Sequence, residues 1–394
     1  MKNIGTRAHG HLCRQYGHVL RKVRLITHLQ RSGIDIRVLK KSFQNSRKQF
    51  KKWWKPVTLG AGEKRGNYVS SLEQLEPRML LAADVWSVDL SELDAYADNA
   101  TLRMNADSTR LELVDGDAAI VLASKMLSSM NPTITSAQFT GGDRNDAFVI
   151  QVSPADVQSF LPHGISFIAG EGDDDTVTNA TDLLVWKITA SGVGNVGTMA
   201  NPSTFSFSGV ESISSDGLTG TIDFSGYGSG VTVDLTQESA TGLSGKTLGF
   251  QNVVGSPYED TIIGNSLDNR FIGGGGDDTL TGGVGDDTYV FSTTSGNDSI
   301  TEKSDTDGTE GSDTFDFSAD SSDLTVTVKS DGTYALTHAS HVVTASNIEN
   351  IIGGDGVNTL DYSDYSSGVT VNLGEDTATL FHSVQRFQNV TGTA

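Results

Sequence analysis

GSPYEDTII (255–263), GNSLDNRFI (264–272), GGGGDDTLT (273–281) and GGVGDDTYV (282–290) follow one another without a gap. Their nine-residue period decides the architecture. Gly opens each unit, at 255, 264, 273 and 282. The sixth place holds Asp260, Asn269, Asp278 and Asp287, and the eighth holds Ile262, Phe271, Leu280 and Tyr289. Six residues that turn and three that extend make half of a flattened coil, with the eighth residue pointing inward onto its equivalent one coil along. If half-coils alternate sides, Asp260 and Asp278 share one edge, and Asn269 and Asp287 share the other. Ile262 then stacks on Leu280, and Phe271 on Tyr289. The glycines permit positive-φ turns and let backbone carbonyls face a common point, where the sixth residue adds a side-chain oxygen. Such a cage of carboxylates and carbonyls suits a hard cation that takes six to eight oxygens. The candidate ligands are Asp260, Asn269, Gly273, Gly274, Gly276, Asp278, Gly282, Gly283, Gly285 and Asp287. Of the two edges, Asp260/Asp278 is the more complete in side-chain charge, although lost glycines weaken the first unit's carbonyl cage.

This pattern resembles the RTX, or haemolysin-type, repeat GGxGxDxUx, where U is a large apolar residue. The last two units match every fixed position. In the first two, Ser256, Tyr258, Asn265 and Leu267 replace glycines, and Asn269 replaces the aspartate. The resemblance implies calcium as the cofactor, with one to three ions in this run. It implies an all-β, right-handed parallel β-solenoid (a β-roll or β-helix) and an extracellular or cell-surface setting in bacteria. Proteins of this group are mostly surface proteins, adhesins or toxins, with some secreted hydrolases.

The rest of the chain divides by charge. Residues 1–84 hold 18 Lys/Arg against 5 Asp/Glu, and residues 85–394 hold 10 against 44, within a net charge of −21. The acidic part is unsuited to a nucleic-acid phosphate backbone. A single Cys, Cys13, excludes an intrachain disulfide and a Cys-based zinc finger. No run of 18 apolar residues exists in the sequence. Excess carboxylate without disulfides points to a cation as the cross-link.

The basic leader, 1–84, reads as partly helical or disordered. Leu12, Tyr16, Val19, Leu20, Val23 and Ile26 recur at helical spacing. RKQFKKWWKP (47–56) adds a second basic stretch, and contact with a membrane surface through it is one reading. His9, His11, Cys13 and His18 cluster, but no carboxylate supports them as a metal site. Within LEQLEPRMLLAAD (72–84), the residues Leu75-Glu76-Pro77-Arg78-Met79-Leu80-Leu81 resemble the LEPR-x-LL motif of large bacterial surface and exported proteins. That resemblance implies a sorting segment.

From residue 85 the texture is short alternating strands bounded by Gly, Asp, Asn and Ser. The best helical segment is PADVQSFL (154–161). The expected organisation is a β-rich solenoid-like region over 85–209 and a calcium-binding β-roll region over 210–394, with its core at 255–290. Weaker echoes occur in GGDRNDAFV (141–149), AGEGDDDTV (169–177, one residue out of register) and GGDGVNTLD (353–361). With no paired coil evident beside them, ordinary Asp/Gly turns are expected there. IDFSGYGSGVTVDLTQESAT (222–241) and LDYSDYSSGVTVNLGEDTAT (360–379) are a duplication, followed by FQNV at 250–253 and 387–390. This organisation suggests a piece of a larger repetitive protein.

No H-E-x-x-H helix, G-x-S-x-G elbow or Walker A loop occurs. GVGNVG (192–197) fits G-x-G-x-x-G, but Pro202 stands where a helix should follow, so a glycine loop between strands is expected. His163, His338, His341 and His382 are scattered and lack a nucleophile partner. The expected function is calcium binding that folds and stiffens a structural or adhesive extracellular module, not an enzyme. The alternatives are a secreted polysaccharide-acting enzyme on a β-helix, or a fragment of an exported toxin. The surface or matrix partner is not legible in the sequence.

Overall fold

The computed structural model describes residues 85–92, 99–116, 120–126, 135–179, 185–198, 201–215, 219–302 and 311–393. The leader, its LEPR-x-LL segment and the His9/His11/Cys13/His18 cluster lie outside the described residues.

Each nonapeptide ends in a three-residue strand because its seventh to ninth residues alternate. In Thr261–Ile263, Arg270–Ile272, Thr279–Thr281 and Thr288–Val290 the central side chain is buried and its neighbours are not. Successive strands join opposite sheets. Thr261–Ile263 pairs in parallel with Thr279–Thr281, with Ile262 opposite Leu280. Arg270–Ile272 pairs in parallel with Thr288–Val290, with Phe271 opposite Tyr289. The four inward residues are at most 1 % exposed. Both stacks continue past the run, Leu280 onto Ile300 and Tyr289 onto Phe315. The Phe271, Tyr289 and Phe315 rings follow one another at 5.6 Å.

The same winding extends over the described chain. A 13-stranded sheet runs from Val85–Asp89 to Ser383–Gln385. A seven-stranded sheet accompanies its N-terminal part, and a ten-stranded sheet accompanies the nonapeptide part. The ladder between coils is parallel, as the period requires. Antiparallel excursions interrupt it, such as Leu324–Val328, Tyr334–His338 and His341–Ala345, where a longer insertion folds back before the coil resumes. Among the described residues, the one α-helix is Pro154–Phe160, capped by Ser153, whose hydroxyl accepts the Asp156 N–H. No helix of the described residues is long and apolar enough to cross a membrane.

GVGNVG (192–197) is not a loop between strands: only Gly192 lies in the turn, at φ +63°, and the rest belongs to strand Val193–Thr198, which pairs antiparallel with Val185–Ala190. The echoes at 141–149 and 169–177 do have paired coils, because Ala147–Ile150 and Thr176–Asn179 lie side by side in parallel with Phe148 opposite Val177.

Candidate metal centre

The sixth-position residues form ladders along both edges. On one edge, Asp260 Oδ1 accepts the Val231 N–H at 2.7 Å, Asp278 Oδ1 accepts the Asp260 N–H at 2.8 Å, and Asp298 Oδ1 accepts the Asp278 N–H at 3.0 Å. On the other, Asp287 Oδ1 accepts the Asn269 N–H at 2.7 Å, Asp313 Oδ1 accepts the Asp287 N–H at 2.9 Å, and Glu349 Oε2 accepts the Asp313 N–H at 2.8 Å. Each aspartate thus spends one oxygen on the preceding coil, and the stacking of turns dictates where its other oxygen goes.

The second oxygens differ. Asp260 Oδ2 takes the Ser256 N–H at 2.5 Å, and its Oδ1 also takes the Ser256 hydroxyl at 2.7 Å. Asp278 Oδ2 and Asp287 Oδ2 are buried without a hydrogen-bond partner. Asn269 is occupied by bonds of its own: its oxygen accepts the Asn265 N–H, and its NH₂ donates to the Gln251 carbonyl and to Asn265 Oδ1. The edge holding Asp278 and Asp298 therefore carries aspartates along its length, while the other begins with a neutral amide.

Buried carboxylates without counter-charge resist ionisation. Burial pushes the Asp278 carboxyl up to about 8, and Asp298, Asp260 and Asp277 add like charge. Burial and the Glu302 carboxylate push Asp313 up to about 8. Asp287 rises to about 7 by burial and by the charges of Glu302, Asp268 and Asp286. Asp298 rises to about 6, mainly by burial. The ion pairs Arg103–Glu112, Lys187–Asp223, Lys246–Glu238 and Arg386–Asp355 include none of these aspartates. Unpaired buried charge is costly unless it coordinates a cation.

The backbone supplies further oxygens. Gly274 and Gly276 adopt φ +112° and +98°, which a side chain rarely tolerates. A Cβ on Gly255 would overlap the Gly273 carbonyl, one on Gly264 the Gly282 carbonyl, and ones on Gly296 and Gly311 the carbonyls of Gly276 and Gly285. The carbonyls of these four glycines therefore pack against the glycine turns of neighbouring coils, and the Gly255 turn also lies against the Asp260 carboxylate. The orphaned Asp278 and Asp287 oxygens and the carboxylates ranged along both edges fit a hard divalent cation such as calcium.

Three carboxylates beside the array escaped the nonapeptide reading: the ladder members Asp298 and Asp313, and Glu302, which stands beside the ladder. One carboxylate oxygen from each of Asp287, Glu302 and Asp313 lies within 4.8 Å of the other two, and all three residues are buried. Glu302 Oε2 accepts the Gly283 N–H at 3.3 Å, and Oε1 meets the Tyr289 hydroxyl. Burial and the Glu302 charge push the Tyr289 phenol far above its ordinary value. The sequence does contain a signal for two of the three. GNDSI (296–300) and GSDTF (311–315) keep the G-x-D-x-U half of the repeat. Glu302 has no such signal.

His338 is not isolated, as its scatter in sequence suggests. Its Nδ1 lies 2.7 Å from Asp320 Oδ2, both side chains being buried. The Ser322 hydroxyl donates to Asp320 Oδ1, not to the imidazole. Nε2 has no hydrogen-bond partner, and Phe291 and Phe317 stand edge-on to the ring. A serine nucleophile bonded to the histidine is therefore not assembled there.

Residues 254–289 match the model of the RTX calcium-binding nonapeptide repeat, in 4 copies. The matched segment is a β-roll of calcium-binding repeats. Among solved structures, the extracellular lipase LipA from Serratia marcescens is similar at 14% identity and a TM-score of 0.22. The match covers 54% of this chain and 36% of that one. At that TM-score the likeness carries no argument about activity. No curated protein matches the chain.

Proposed function

We propose that the chain is a calcium-folded structural or adhesive module of a larger extracellular bacterial protein, and not an enzyme. The observation that carries the reading is the pair of buried, unpartnered oxygens, Asp278 Oδ2 and Asp287 Oδ2, inside the calcium-repeat segment. The proposed ligands are the carboxylates of Asp260, Asp278 and Asp287, the Asn269 amide oxygen, and the carbonyls of Gly273, Gly274, Gly276, Gly282, Gly283 and Gly285. Asp298, Glu302 and Asp313 extend the set. The reading also divides the chain into a leader over 1–84, a solenoid-like region over 85–209 and the calcium region over 210–394.

Calcium, when bound, supplies the positive charge that the ladders lack. The chain's own residues do the rest. The aspartates of adjacent coils are held to one another's backbone, so neutralising them favours the wound form over the self-repelling open chain. Modules that bind calcium at about 10⁻⁴–10⁻³ M suit an extracellular setting. In that reading the chain stays open in a low-calcium cytoplasm and winds up after export. The LEPR-x-LL segment then serves sorting, and the basic leader contacts the membrane surface.

The test is a calcium titration of the full chain, with magnesium as control, followed by far-UV circular dichroism. The expected result is a calcium-specific gain of β signal. A spectrum that is β-rich in chelator and unchanged by calcium would overturn the folding role.

A further inference from the structure

The signature of the Asp260/Asp278 edge recurs about a hundred residues earlier, outside the segment that matches the repeat family. Among the described residues, three buried carboxylate oxygens lack a hydrogen-bond partner: Asp278 Oδ2, Asp287 Oδ2 and Asp175 Oδ2. Asp175 is 0% exposed. The two sites agree bond by bond. Asp175 Oδ1 accepts the Asp146 N–H at 2.7 Å, as Asp278 Oδ1 accepts the Asp260 N–H at 2.8 Å. Asp146 Oδ2 accepts the Gly142 N–H at 2.7 Å, as Asp260 Oδ2 accepts the Ser256 N–H at 2.5 Å. The Thr176 N–H reaches the Asp146 carbonyl at 2.8 Å, and the Thr279 N–H reaches the Asp260 carbonyl at 2.8 Å.

The backbone of the turns agrees as well. Gly170 adopts φ +131°, and a Cβ there would overlap the Gly142 carbonyl; Gly274 adopts φ +112°, and its Cβ would overlap the Ser256 carbonyl. A Cβ on Gly141 would overlap the Ala169 carbonyl and the Asp146 carboxylate, as one on Gly255 would overlap the Gly273 carbonyl and the Asp260 carboxylate. The sequence hides this equivalence because the second turn carries one extra residue. Ala169 aligns with Gly141 next to the Thr140–Ile168 pair, yet Asp175, not Asp174, reaches Asp146. Asp174 is used elsewhere, accepting the Ser212 hydroxyl at 2.8 Å. The ladder continues to a third coil, where Glu211 Oε2 accepts the Asp175 N–H at 2.9 Å. That contact repeats the one between Glu349 and the Asp313 N–H.

A partly open cleft of about 480 Å³ adjoins the first turn, lined by Asp89, Asp143, Asp146 and Glu171, with Arg144 as the one basic residue in that lining. It gives the turn solvent access.

We infer that the turns 141–146 and 169–175 form a second calcium-binding edge, with Asp175 and Asp146 as its carboxylates, that clamps the N-terminal part of the solenoid separately from the 255–290 array. The inference rests on the calcium reading of the Asp278 and Asp287 turns, so the test separates the two. Calcium bound per chain is measured by equilibrium dialysis on the full chain and on Asp175→Asn, Asp146→Asn, and the double variant Asp278→Asn/Asp287→Asn. Circular dichroism verifies folding. In parallel, hydrogen exchange of segment 141–179 is followed against calcium in the double variant, which leaves the N-terminal turns intact.

The expected result has two parts. Asp175→Asn loses one bound ion per chain. The double variant retains an ion, and calcium still slows exchange over 141–179. Full wild-type stoichiometry in folded Asp175→Asn would overturn the second edge and leave the first standing. So would exchange over 141–179 that no longer responds to calcium in the double variant. A wild-type chain that binds no calcium would overturn both.

Discussion

Replacing Asp278 by Asn should act in opposite directions with and without calcium. Asp278 Oδ1 accepts the Asp260 N–H at 2.8 Å, a bond an amide oxygen keeps, while Oδ2 is buried without a partner. Burial and neighbouring carboxylates lift the carboxyl from 3.8 to about 8. Each unit of that gap corresponds to about 1.36 kcal/mol. In the metal-free chain at pH 8, ionised Asp278 therefore opposes folding by on the order of 5 kcal/mol, an upper figure that relaxation of the turn reduces. The substitution removes this opposition. In chelator at pH 8, Asp278→Asn should raise resistance to urea by one to several kcal/mol, roughly in that range. In saturating calcium it should lower resistance, because a charged ligand is lost. The assay is urea unfolding of the full chain followed by far-UV circular dichroism in both media. An equal loss of stability in chelator and in calcium would refute the reasoning. Asp278 would then be a turn residue whose charge answers to no cation.

The metal-free chain should lose stability as pH rises. Asp298 at about 6, Asp287 at about 7, and Asp278 and Asp313 at about 8 all lie above the ordinary 3.8. A folded-state value above the unfolded one gives stability that is complete below about pH 4 and is lost as pH climbs through 6 to 8. Unfolding in chelator at pH 5 and pH 8.5 checks this, and stability that rises with pH would contradict it. Calcium affinity should change the other way, weakening on acidification as protons take the same oxygens, which calorimetry at two pH values measures. Leu280→Ala should cost about 2–5 kcal/mol even in saturating calcium, because Leu280 is packed between Ile262 and Ile300 in the inward stack. A loss under 1 kcal/mol, roughly the size of a surface change, would mean that the stack is not a packed core. Gly274→Ala should shift the calcium midpoint of folding upward several-fold, since its φ is +112° and its Cβ would overlap the Ser256 carbonyl. An unchanged midpoint would show that the turn adapts freely.

Much of the array is legible because its information lies within nine residues. The strand-forming triplet, the inward eighth residue, the alternation of edges and the pairing of Asp260 with Asp278 all follow from one unit and its repetition. The inward stack obeys that rule beyond the run, but the spacing there does not. From one ladder residue to the next, the separation is 18 residues between Asp260 and Asp278, 20 between Asp278 and Asp298, and 26 between Asp287 and Asp313. Asp298 and Asp313 keep the G-x-D-x-U signal but fall off the period. Glu302 has no signal, since only the fold brings it beside Asp287 and Asp313. Asp175 was masked by a single inserted residue.

The duplication shows where local pattern stops. Both copies keep the same local contacts: Thr232 and Thr370 each donate an N–H to the hydroxyl of Thr241 or Thr379 at 2.7 Å. The ring pairs Phe224–Tyr227 and Tyr362–Tyr365 also correspond. Yet Gly220–Asp223 enters the 13-stranded sheet, while Asn358–Asp361 enters the ten-stranded one. Nothing in either copy states that difference, because it is set by how many half-coils and excursions separate them. The residues alone determine the repeating unit, its inward face and its oxygen-rich turns, since these depend on period, side-chain volume and backbone freedom within a few bonds. Which turn comes to rest against which, and hence which carboxylates must share a buried space, depends on the lengths of aperiodic insertions, and only the wound chain decides that.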